Sequence, residues 1–184
     1  SSAVDTADAQ SLFAEIHEHP LPDGLTELID DYQTLQTARP LFMWKWVHRL
    51  APQNTLPCVE QPFIEAVPVD KTITILFITL LDDILEKQQD RSTFDELSKI
   101  PSEQRNADPT RPDVDAEYVS FAQRVWDTLL DRIQRGPNYE NYEELFRYDI
   151  EQAINSIEYS NIAIRRPDLT TMSDLERYES HNMA

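Results

Sequence analysis

The chain has 184 residues, of which 34 are acidic and 16 basic, a formal net charge of −18, and 40% of its residues are hydrophobic. That length predicts a single helical domain over residues 1–184, and the charge excludes a nucleic-acid-binding module, because no basic stripe offsets it. Only Gly24 and Gly136 stand against 12 prolines, so the φ > 0 positions that hairpins, phosphate-cradling loops and β-sandwiches need are missing and an all-α fold is expected.

The single cysteine, Cys58, excludes a disulfide framework and a thiolate zinc site. No basic stretch followed by an apolar run opens the chain, so no secretory signal is read. The most apolar segment, Ile73 to Leu81, lies between charged residues and is too short for the ~20 residues of a membrane span. A cytoplasmic protein with no membrane partner is expected.

Residues 1–20 read as a polar tail leading into at most a short helix, SLFAEIHEH, stopped at Pro20. From Leu25 to Ala38, apolar residues at Leu25, Leu28, Ile29, Tyr32 and Leu35 follow a helical period. Pro40 opens an aromatic helix, LFMWKWVHRL, and three prolines then mark a loop. A long apolar helix is expected from about Lys71 to Gln89, with Ile64 to Val69 leading into it. Ser92 and Glu96 suggest a capping box for a short helix, STFDELSKI. A proline-rich loop follows from Pro101, then helices at about Ala116–Gln134 and Tyr139–Ala163. RRPDLTTM is a connector, and SDLERYESHNMA a last helix.

One constellation carries chemistry. Asp82 and Glu86 are spaced i, i+4 and Asp83 and Glu86 i, i+3, which gathers carboxylates on one side of a helix end. They come directly after TITILFITLL, the most apolar text in the chain. Carboxylates at the rim of an apolar cavity suit Mg²⁺, which takes one or two of them together with waters and substrate phosphate oxygens. The alternative is an acidic helix end turned to solvent.

An apolar helix ending in Asp82-Asp83-Ile84-Leu85-Glu86 resembles the aspartate-rich DDxxD/E helix of class I terpene synthases of the bacterial type. A second stretch, Pro167 to His181, resembles that family's proline-led entry into a helix with an arginine. The resemblance implies a class I isoprenoid synthase-like helical bundle, with the chain corresponding to the N-terminal half that carries the DDxxE helix. It implies Mg²⁺ held by Asp82, Asp83 and Glu86, with Asp82 the nearest ligand and Asp83 turned to a hydrogen-bonding role. It matches Arg177 to the arginine that senses the diphosphate, Ser180 to the linker position and His181 to the effector position. A prenyl diphosphate is the implied substrate, in a cavity expected to involve Phe77, Ile78, Trp44 and Trp46, and a homodimer is allowed.

The sequence departs from the family in two ways. The second metal motif, N-D-x-x-S-x-x-x-E, is absent, and Asn155-Ser156-Ile157-Glu158 does not fit it; in the family it lies downstream of the arginine helix, past Ala184 here. Only Phe77 is aromatic near the acidic pair. Core packing competes with a cavity role for Trp44 and Trp46, and solvation accounts for Lys45, His48 and Arg49. Arg165 and Arg166 suit a helix C-terminus. His17 and His19 lack the spacing of a di-iron site, and nothing selects among Tyr148, Tyr159 and Tyr178 as proton handlers. A chain-elongating prenyl synthase, an all-α nucleotide pyrophosphatase and a non-catalytic helical interaction module are the alternatives.

Overall fold

The computed structural model describes residues 3–35, 65–169, 171 and 173. Among them every regular element is helical, with six α-helices and no strand. These are α1 (Ala3–Glu18), α2 (Leu25–Thr34), α3 (Ala66–Glu86), α4 (Arg91–Glu103), α5 (Ala116–Gln134) and α6 (Tyr139–Arg165). Short 3-10 turns cover Pro22–Gly24 and Pro167–Leu169. The helix expected after Pro40, the loop beyond it and the last helix, SDLERYESHNMA, lie outside the described residues. No helix among the described residues is long and apolar enough to cross a membrane.

The chain divides into two compact units, one of residues 1–77 with 125–133, the other of residues 78–124 with 134–184. The first unit begins with a correction. Residues expected to form a polar tail belong to α1, a helix of 16 residues. Alanines at 3, 7, 9 and 14 are the best helix formers and outweigh the lack of an apolar stripe. The helix ends before Pro20, which disfavours the helical backbone of its predecessor. Asp23 and Gly24 then take left-handed backbone, at φ 54° and 76°, and redirect the chain into α2. The Thr26 hydroxyl accepts from Leu21 N–H at 2.8 Å and donates to the Ile16 carbonyl at 3.2 Å, tying α1 to α2. All five residues of the expected apolar face, Leu25, Leu28, Ile29, Tyr32 and Leu35, are buried.

Arg132 of α5 anchors the same unit. Its Nε donates to Asp70 of α3 at 2.6 Å, one terminal nitrogen pairs with Asp23, and the other reaches the Ala66 carbonyl at 3.3 Å. A guanidinium only 9% exposed thus binds the start of α3 and the turn before α2 to α5. Forked donors satisfy several acceptors at once, a task a point-charge ammonium performs less well.

In the second unit α4 packs against α6. Ile150, Ile154 and Ile157, spaced i, i+4, i+7, form the buried side of α6. The cap of α4 also differs from expectation. Asp90, not Ser92, is its N-cap, accepting from Thr93 N–H at 3.0 Å and from the Thr93 hydroxyl at 2.6 Å. Glu96 is therefore not a capping-box partner. It is fully buried and accepts from Asp108 N–H at 2.9 Å and from Arg111 at 2.7 Å, with Arg105 and Lys99 at 3.5 and 3.7 Å. Burial alone would raise its pKa, but the Asp108 N–H, Arg111 and the charges of Arg105 and Lys99 hold it below the usual carboxylate range. One side chain so fixes the path of the proline-rich loop.

Candidate functional site

The acidic motif lies at the C-terminal end of α3. Apolar residues keep the helix buried through Leu81 on three sides of its circumference, with Ile73, Leu76, Leu80 and Leu81 at no measurable exposure. Neighbouring positions on a helix differ by about 100° in direction, so Asp82 and Asp83 meet different surroundings. Asp83 is fully buried, Asp82 half-buried and Glu86 exposed. The Lys87 ammonium pairs with Asp83 Oδ1 at 3.1 Å and is itself 47% exposed.

Backbone geometry closes the helix just beyond the motif. Lys87 and Gln88 N–H groups both donate to the Asp83 carbonyl, at 3.0 and 3.3 Å, and Asp90 N–H donates to the Ile84 carbonyl at 3.0 Å. Gln89 adopts φ 55° to make the turn. Asp90, which in sequence extends the acidic row by another turn, is taken up by capping α4. Asp82, half-buried, and Glu86, exposed, stand one turn apart at this helix end. Among the described residues no three His, Cys, Asp or Glu side chains gather as a metal-holding group.

Other expected site residues are distributed differently. Phe77 is fully buried, its ring 5.1 Å from that of Trp126 and tilted by 50°, so it is a core residue of the first unit rather than a cavity wall. Ile78 is half-buried. Trp44, Trp46, Arg177, Ser180 and His181 lie outside the described residues. His17 holds no metal ligand role: its Nε2 meets Asp30 at 2.8 Å and its Nδ1 the Phe13 carbonyl at 2.6 Å. Tyr148 and Tyr159 are exposed, and Arg166 pairs with Asp168 at 2.9 Å.

A polar groove of about 550 Å³ runs along α4 and α6, with Ser98, Lys99, Arg111, Glu151, Asn155 and Glu158 among its lining. None of Asp82, Asp83 and Glu86 lines it. Several of its charges are engaged within the unit: Arg111 and Lys99 with Glu96, and Glu158 with Arg91. No family profile, no curated protein and no solved structure matches the chain.

Three side chains at these sites escape sequence reasoning. Lys87 stands i, i+4 from Asp83, a spacing that allows the pair without requiring it. Arg132 stands in WDTLLDRI beside two aspartates, and nothing in that text marks the distant Asp23 and Asp70 as its partners. Glu96 reads in sequence as a capping-box residue, because all its partners but Lys99 come from a loop 9 to 15 residues downstream.

Proposed function

We propose that the chain is the diphosphate-binding part of a class I terpene synthase, with a class I isoprenoid synthase-like fold and a cytoplasmic site of action. The observation that carries this reading is the division of labour at the end of α3. Lys87 pairs with the buried Asp83, while Asp82 is half-buried and Glu86, one turn on, is exposed. Two like charges at that spacing destabilise a bare helix by a few tenths of a kcal/mol, and a bound cation reverses the sign. Hard carboxylate oxygens are the donors Mg²⁺ prefers, and fewer than three protein ligands is usual where substrate phosphates complete the shell. The residues present therefore fit the ion.

Asp82 and Glu86 would hold Mg²⁺, which when bound neutralises charge on the departing diphosphate. The Asp83–Lys87 pair would steady the helix end that carries both carboxylates. Ile78, one turn earlier, contributes apolar surface where water must be excluded from an allylic cation. On the same reading Arg177 donates to the leaving diphosphate, with Ser180 and His181 at the linker and effector positions. The experiment is release of pyrophosphate from farnesyl or geranylgeranyl diphosphate with Mg²⁺, comparing the native protein with Asp82→Asn.

A second reading is supported by α6. Leu145, Tyr148, Ile162 and Ile164 are 51–63% exposed on that helix, large apolar side chains that a partner could cover. They favour a helical interaction module. Failure of Mg²⁺ to affect binding of either prenyl diphosphate would select it.

A further inference from the structure

We propose that the fold is conditional on high ionic strength, with dissolved cations acting as a diffuse but required partner of the native state. The basis is where the protein's own cations go. Four of the 16 basic residues are lysines: Lys45, Lys71, Lys87 and Lys99. Among the described residues several cations pair with buried or half-buried carboxylates, Arg132 also with the exposed Asp23. Arg132 serves Asp23 and Asp70; Arg105, Arg111 and Lys99 converge on Glu96; Lys87 serves Asp83. These pairs hold the helices and loops together and leave the outer surface strongly negative.

Exposed carboxylates outnumber exposed cations among the described residues. On α6, Glu140 and Glu144 are exposed and spaced i, i+4, and Asp149 is exposed beyond them. Such neighbours lie about 6 Å apart. The screening length is about 10 Å in 0.1 M salt and about 3 Å in 1 M. Repulsion at that spacing is therefore cut to roughly half in 0.1 M salt and to roughly a seventh in 1 M. Compaction concentrates the charge of −18, so low salt destabilises the folded chain more than the expanded unfolded one. The inference is independent of the proposed function, because no catalytic readout enters it.

The test is thermal unfolding of the 184-residue chain by far-ultraviolet circular dichroism, in KCl from 0.05 to 3 M with chelator present. The melting midpoint should rise by about 10 °C or more between 0.1 and 2 M. Sucrose in low salt should not reproduce that gain, and Glu140→Gln/Glu144→Gln/Asp149→Asn should move the salt curve to lower KCl. A midpoint indifferent to KCl overturns the proposal. So does an equal gain in sucrose, which assigns the effect to general burial, and so does an unmoved curve in the triple variant.

Discussion

The Lys87 ammonium lies 3.1 Å from a carboxylate oxygen of Asp83, whose side chain has no exposed surface, while Lys87 itself stays half in solvent. One cation at the protein surface thus compensates a charge beneath it. Removing one partner of such a pair leaves the other uncompensated. Lys87→Ala should therefore destabilise the chain by about 1–3 kcal/mol, the lower part reflecting solvent screening. Lys87→Arg should restore most of the loss. Urea unfolding of the three proteins checks this.

Arg132→Ala should cost about 2 kcal/mol or more, because Asp70 and the Ala66 carbonyl lose a partner together. Arg132→Lys should recover only part, since an ammonium cannot reach all three acceptors in a fork. Unfolding midpoints of both variants, measured in one buffer, decide it.

Much of the fold was legible because helix faces are local. The period of Leu25, Leu28, Ile29, Tyr32 and Leu35 requires only neighbours in sequence, and all five are buried. α5 spans the residues that its pattern indicates, Ala116–Gln134. Ser92 misled, because capping depends on backbone angles that Asp90 adopts two residues earlier. Glu96 misled for another reason: its role arises from ion pairs closed by a loop, and no period encodes them. At the acidic motif, spacing put Asp82, Asp83 and Glu86 on neighbouring positions. It did not reveal that Asp83 is wholly inside and Glu86 outside.

Glu96 carries an acid-side signature. Its folded pKa is lowered, against burial, by the Asp108 N–H, Arg111, Arg105 and Lys99. Its contribution is complete above the unfolded value, about 4.3, and is lost as pH falls through the lower folded value. The native protein should lose more stability between pH 5 and pH 3 than Glu96→Gln does. Urea midpoints at those two pH values supply the comparison.

His17 acts in the opposite direction. The Phe13 carbonyl and Asp30 accept from its two ring nitrogens, which favours the doubly protonated ring and raises its pKa. Its stabilisation is present below the ordinary value of about 6.5 and lost as pH rises through the folded one. The ring is exposed, so the effect on global stability is small. A histidine ring titration by NMR should show a His17 midpoint above the ordinary value of about 6.5, and Asp30→Asn should lower it.

The central claim is that Asp82 and Glu86 bind a Mg²⁺–diphosphate unit. The most direct measurement is pyrophosphate release from farnesyl or geranylgeranyl diphosphate by the full open reading frame, with and without Mg²⁺, for the native protein and Asp82→Asn. The account predicts release that requires Mg²⁺ and falls about 10²-fold or more in the variant. Release unaltered by Asp82→Asn, or no Mg²⁺-dependent release from either substrate, would contradict it.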